Sequence, residues 1–274
     1  MTAYYAPAHA GMGYPPFVEP DPPRYLRAPD SSGTPRVDDQ LVRPETREEM
    51  VRGRRIHAAP AKVPHAEHHQ ILGFVTGGCI APDYVAATDL LTRVGPRSDF
   101  ATDTCIRRKG IDPTTGARYL EELAFEVVSE QSLRDITERA EDLSGRGVRR
   151  IVAIFVKRGE VREWSSERND WQVLDPSGVL EDPTLAEPIP IRALLDQAEA
   201  DQTVVRGLQA KGNPAIRAIE ERVRADASRT TIEMLCDSFG IRLGSDRRTH
   251  LQRLDAGQLQ SLLEQVLSER CWPA

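Results

Sequence analysis

The chain has 274 residues, a formal net charge of −6 and 39% hydrophobic residues. A length near the ~250–300 residues at which single cores stop growing admits one large domain or one domain with appendages, and the acidic balance argues against a general basic coat for nucleic acid. No apolar run approaches the ~20 residues of a membrane-spanning helix, and the start, MTAYYAPAHAGMGYPP, lacks both a basic n-region and a continuous apolar h-region, so a cytoplasmic protein is expected.

Residues 1–65 are Pro-rich and polar, with Pro pairs at 15–16 and 22–23. Such a segment buries too little apolar surface to offset its ordering entropy, and it reads as a disordered arm. At its end HAEHH places His65, His68 and His69 around Glu67. Two readings stand there, a solvated linker and a metal site; no cysteine or second histidine cluster completes a zinc ligand set. Cys79, Cys105, Cys236 and Cys271 form no CxxC pair, which leaves reduced thiols as the expectation.

From Gln70 the pattern changes, and residues 66–190 are expected to hold the folded core. ILGFV reads as a short strand or buried entry ending near Gly77–Gly78. The next segment, APDYVAATDLLTRVG, predicts a helix: Pro82 is near its start, Val85, Leu90, Leu91 and Val94 give an apolar face, and Gly95 closes it. DFATDTCI reads as a strand carrying Asp103. An excursion with Asp-Pro and Thr-Gly turn signals follows, then a second strand, Leu123–Val128. Alternation there puts Leu123, Phe125 and Val127 on one face and Ala124, Glu126 and Val128 on the other.

Ser129 and Ser132 are candidate N-caps of a helix through Leu143, whose buried stripe is Leu133, Ile136, Ala140 and Leu143. Arg139 lies beside that stripe, within reach of the sheet, and Glu138 faces water. RRIVAIFVKRGEVREWS reads as a β-hairpin turning at Arg158–Gly159. The order β, β, α, β, β makes a mixed sheet covered by helices the expected core. Residues 191–274 form a helical extension. Its apolar faces are Ile216, Ile219 and Val223, then Ile232, Leu235 and Phe239, then Leu251 to Leu267, with Gly240 as a C-cap. Such faces need partners, either one another or a second copy in a homo-oligomer.

Two carboxylates on neighbouring strands, Asp103 and Glu126, are the residue types that hold a hard divalent cation for phosphodiester hydrolysis. Spacing alone leaves open that each acid simply caps a strand or pairs with an arginine. The stretch from Thr92 to Arg162 carries 14 Lys/Arg against 12 Asp/Glu, so a duplex can approach it despite the acidic average. Arg107, Arg108, Lys109, Arg149 and Arg150 are candidate phosphate contacts or solvated loop charges.

Residues 99–165 resemble the Uma-type restriction endonucleases, a bacterial group within the PD-(D/E)XK nuclease superfamily. That group shows a Pro-Asp strand, an apolar strand of the form VVEVLSPST, a helix with D-x-x-x-K-x-x-x-Y ending at Gly-Val, and a strand like YWIVD. This chain has ATD at 101–103, AFEVVSEQS at 124–132, Asp135, Arg139 and Leu143 at the same intervals, Gly147–Val148 and RIVAIFV. The resemblance implies an α/β (α+β) restriction-endonuclease-like core, a DNA endonuclease activity, and Mg²⁺ or Mn²⁺ held by Asp103 and Glu126 with the Val127 carbonyl as a further ligand. The departures are Thr102 in place of proline, Leu143 in place of tyrosine, and Arg139 in place of lysine. Lysine can lose its proton in a buried pocket and help activate water; arginine stays charged and can only orient water or stabilise phosphate. A nuclease fold serving as a binding module through its helical extension is the competing function.

Overall fold

The computed structural model describes residues 35–39, 41–42, 48–57, 62–129 and 131–273. Most of the segment expected to be an arm lies outside the described residues. Residues 48–57 do not behave as an arm: β1 (Glu48–Val51) and β2 (Arg54–His57) form an antiparallel hairpin joined to the central sheet.

The ILGFV run does not form a strand. It lies inside α1 (Val63–Cys79), with Pro64 in the first turn. A five-residue apolar run cannot by itself separate strand from buried helix. Gly78, which read as an ending signal, serves packing instead: a Cβ there would meet Val204 at 2.8 Å.

The segment expected to be the next helix is β3 (Tyr84–Gly95), paired along its length with β4 (Ser98–Arg108). Tyr84, Val85, Thr88, Thr92 and Val94 are β-favouring residues. The alternation that would have revealed the strand is blurred by Asp89, whose left-handed backbone (φ 51°) interrupts it.

β5 (Glu121–Val128) pairs antiparallel with β4 and parallel with β6 (Arg150–Phe155). The crossover between β5 and β6 is α2 (Leu133–Arg146). Ser132 caps that helix, its side chain accepting the Asp135 N–H at 3.1 Å, and Gly147 ends it in the left-handed region (φ 112°). The sheet continues through β7 (Glu160–Ser165) and β8 (Asp170–Val173), the expected hairpin turning at Gly159. The strand order is β2-β1-β4-β5-β6-β7-β8, with β3 also on β4. A small ribbon, β9 (Val179–Leu180) with β10 (Ile189–Pro190), follows.

The two faces of β5 divide as the alternation predicts. Leu123, Phe125 and Val127 pack with Leu72, Val75 and Cys79 of α1. Ala124 and Val128 pack with Ile136, Ala140 and Leu143 of α2. Two details of α2 differ from expectation. Leu133 is exposed, and Glu138 is covered rather than solvated, because Arg54 of β2 and Arg134 both pair with it.

The α1 side of the core extends past residue 190 through Ile191, Ala193 and Leu194 to Ala200 on α3 (Gln197–Ala210). Gly78 and Gly207 let α1 and α3 meet backbone to backbone; a Cβ on Gly207 would lie 2.5 Å from the Gly78 carbonyl oxygen. A separate cluster joins α4 (Pro214–Ser238), α5 (Ser245–Arg253) and α6 (Ala256–Glu269) through Ile232, Cys236, Leu251, Leu259, Leu262 and Val266. The expected face on the first half of α4 is not buried: Ile219 is 48% and Val223 60% exposed. Gly240, at φ 70°, closes α4, with the next N–H bonded back to the Cys236 carbonyl at 2.7 Å.

Candidate functional site

β4 has two edges, and only one is covered along its length. Asp99 pairs with Arg93 of β3 and also with Met50 of β1, so β1 must use the edge opposite β3, the edge that β5 also uses. The registered β4–β5 pairs stop at Thr104↔Phe125. Between the two partners Ala101–Asp103 has no strand on that edge, and its backbone groups must find side chains instead.

They do so with charged residues. The Ala101 N–H donates to Glu49 Oε1 at 3.0 Å, and the Ala101 carbonyl accepts from the Arg139 guanidinium. Continuing the register one pair would set Asp103 opposite Glu126. There the strands part, and Asp103 Oδ2 accepts the Val127 N–H at 2.6 Å. The sequence-derived trio Asp103, Glu126 and Arg139 is thus gathered at one place, with Val127 tied to it.

Arg139 Nη1 lies 2.8 Å from Glu49 Oε2, and Nη2 lies 3.4 Å from Glu126 Oε1. Its guanidinium carbon sits 4.3 Å from the Phe100 ring centroid, a cation–π placement. The side chains of Glu126 and Arg139 are only 4% and 13% exposed. Burial pushes the Glu126 carboxyl up to about 8; Arg139 pulls it down, and Asp103 and Glu49 push it further up. Burial also raises Asp103, against the Val127 N–H, His65 and Arg139, which lower it. Burial disfavours the charged form of Arg139, yet Glu126, Glu49 and Asp103 outweigh it and hold the guanidinium above its ordinary value.

Three carboxylates therefore surround one guanidinium, and two of them are driven toward their neutral forms. That imbalance, with oxygen donors from two strands at their point of parting, fits a divalent cation. Val128, where a simple E-x-K pattern would put lysine, is a buried member of the α2-side core.

Three further residues join the site, of which only Glu49 has no signal in the sequence. Glu49 arrives from the hairpin, 90 residues from Arg139, and no local signal marks it. For His65 and His69 the sequence leaves a solvated linker and a metal site open, and both lie on α1 beside Asp103. His65 Nε2 is 3.7 Å from Asp103 Oδ1, and His69 Nε2 is 2.6 Å from the Asp103 carbonyl oxygen. The i, i+4 spacing of these histidines one residue past Pro64 was the available signal.

The basic candidates lie elsewhere. Arg107 and Arg150 are registered with the beginning of β5, at Glu121 and Leu123. That is roughly 10 Å or more along the strand from Glu126. Arg149 makes a forked pair with Asp182 at 2.7 and 3.0 Å, and Arg150 one with Glu163 at 2.7 and 2.9 Å. Arg108 lies 3.2 Å from Glu122, and Lys109 donates to the Pro82 carbonyl. Their charge is answered by acids and carbonyls of the sheet end rather than directed at the Asp103 cluster.

No family model matches the chain, and no curated protein matches it. Among solved structures it is similar to a candidate nuclease belonging to DUF820 from Anabaena variabilis ATCC 29413, at 14% identity and a TM-score of 0.47, over 57% of this chain and 92% of that one. Among the described residues, no helix is long and apolar enough to cross a membrane.

Proposed function

We propose that the chain is a divalent-cation-dependent endonuclease of the PD-(D/E)XK type, with DNA as substrate. The observation that supports it most is the pair Asp103 and Glu126 at the parting of β4 and β5, with excess carboxylate around a single guanidinium. Asp103 and Glu126 would hold Mg²⁺ or Mn²⁺, with the Val127 carbonyl beside them. When bound, such a cation supplies positive charge to polarise the phosphoryl group and acidify the attacking water.

The chain's own residues set the rest. Arg139 keeps its proton at every working pH, so it cannot take one from water; it holds Glu126 and Glu49 in place and presents charge to an incoming phosphate. Glu126 must give up a proton to act as a ligand, which makes cation binding favour alkaline pH. Arg107, Arg108 and Lys109 would reach the duplex backbone only by exchanging the Arg108 carbonyl, Glu122 and Pro82 carbonyl they now hold.

The test is cleavage of supercoiled plasmid with Mg²⁺ or Mn²⁺. Asp103→Ala and Glu126→Ala should each lower the rate about 100-fold or more; cleavage that survives both removes the site. Arg139→Lys restores a group able to release its proton and should raise the rate. A second reading is favoured by the exposed Ile219 and Val223: a binding module acting through α4. Intact DNA binding with no cleavage under either ion would select it.

A further inference from the structure

Glu126 is committed to Arg139, whereas Asp103 turns toward a different set of groups. α1 presents His65 and His69, one turn apart on one face, with ring centroids 5.8 Å apart. β3 presents Asp89, which stands at the register position opposite Asp103, between the pairs Thr88↔Thr104 and Leu90↔Thr102. One ligand atom each from His69, Asp89 and Asp103 all lie within 4.8 Å of one another.

Two features of this cluster fit a cation. Two carboxylates opposite one another on adjacent strands repel. The imidazole–carboxylate separations, 3.7 Å for His65–Asp103 and 3.9 Å for His69–Asp89, are too long for hydrogen bonds. They exceed by a few tenths of an ångström the roughly 3.3–3.6 Å between ligand atoms that share an ion tetrahedrally at about 2.0–2.2 Å each, a gap that small side-chain rotations would close.

We infer that His69, Asp89 and Asp103, with His65 in reach as a fourth ligand, form a transition-metal site that takes Mn²⁺, Co²⁺ or Zn²⁺ in preference to Mg²⁺. The mixed imidazole and carboxylate set carries the selectivity: imidazole nitrogen suits the transition ions, and Mg²⁺ favours oxygen donors alone. His69 Nε2 lies 2.6 Å from the Asp103 carbonyl oxygen, so the ring would turn away from that carbonyl to ligate the ion. The site shares Asp103 with the proposed nuclease centre but needs no cleavage to be detected.

The test is titration of the full chain with Co²⁺, following its visible absorption, with Mg²⁺ as competitor. One Co²⁺ should bind with imidazole-dependent absorption, and millimolar Mg²⁺ should not displace it. His69→Ala should weaken binding at least about tenfold. Asp89→Asn, a change at an exposed side chain that leaves the fold intact, should weaken it similarly. His68→Ala is the control, since that ring turns back to the Pro64 carbonyl at 2.9 Å, and it should bind as the unaltered chain does. Equal Co²⁺ affinity in His69→Ala, Asp89→Asn and the unaltered chain overturns the inference, as does ready displacement by Mg²⁺. If that happens while Mg²⁺-dependent cleavage persists, the nuclease reading stands alone. Imidazole-dependent binding without cleavage under any ion leaves this site and removes the nuclease.

Discussion

Asp103 has two unlike neighbourhoods. On one side Arg139 is locked between Glu49 and Glu126, all three side chains at least 86% buried. On the other, His65, His69 and Asp103 are nearly as well covered, at 14–18% exposed, but Asp89 is 71% exposed, and the imidazole–carboxylate pairs stand apart at 3.7–3.9 Å. The closed side combines architecture with chemistry, because its charges replace the missing strand partner of Ala101. The open side reaches solvent through Asp89, and its imidazole–carboxylate pairs are not closed by hydrogen bonds. If this contrast is right, substitutions on the two sides should differ in what they disturb.

The largest expected effect is on the closed side. Arg139→Met keeps length and apolar contact with Phe100 but removes the guanidinium from Glu49 and Glu126, which should cost about 3–5 kcal/mol in urea unfolding above pH 8, where Glu126 is ionised in the unaltered chain. A loss below 1 kcal/mol would show that these carboxylates reach water and that the side is not closed.

The same side should govern the pH dependence of the metal-free protein. The Glu126 carboxyl rises in the fold from its ordinary 4.5 to about 8, so between those values the folded state holds a proton that the unfolded state has released. Stability from this group is complete below pH 4.5 and is lost as pH rises through about 8. Unfolding free energy measured in a chelator should fall across that window, and Glu126→Gln should flatten the slope. A divalent cation should oppose the loss by favouring the ionised carboxylate.

The open side depends on where α1 sits. In Gly207→Ala the new methyl would meet the Gly78 carbonyl at 2.5 Å, a backbone group that cannot turn aside. The helices must separate, at about 1–3 kcal/mol, carrying His65 and His69 with them. Cys79 offers a reporter in the same seam: burial pushes its thiol up to about 11, so it should resist alkylation at pH 8 in the unaltered chain and become reactive in Gly207→Ala. Unchanged reactivity would mean that the α1–α3 seam absorbs the methyl.

The smallest effect belongs to the histidine itself. His69→Ala removes one hydrogen bond to the Asp103 carbonyl and should cost only about 0.5–1.5 kcal/mol, far less than Arg139→Met. A loss as large as that of Arg139→Met would erase the distinction between the two sides.

How far these features can be read from the chain follows the range of the interaction. The Glu126 strand and the Arg139 helix were legible because each advertises itself locally: β5 alternates between two buried faces, and α2 has a Ser132 cap, an apolar stripe and a terminal Gly147. The segment 84–95 was misread because Val85, Leu90, Leu91 and Val94 fit a helical period while the left-handed Asp89 spoils the strand alternation. ILGFV was misread for the opposite reason: the stripe of α1 is short, and Gly78 is spent on contact with α3 rather than on ending a helix.

By itself, then, the sequence determined the two acid-bearing strands, the helix that carries Arg139 to the sheet, and the hairpin that follows. In each, the decisive contacts repeat every two to four residues and leave a periodic trace in the chain. Only the tertiary structure decided that Glu49 completes the Arg139 cluster, that α1 brings its histidines to Asp103, and that β3 sets Asp89 opposite it. Those meetings depend on which edge of β4 each strand occupies and where β4 and β5 part. Such choices are settled by the packing of the whole sheet, which no short stretch of sequence records.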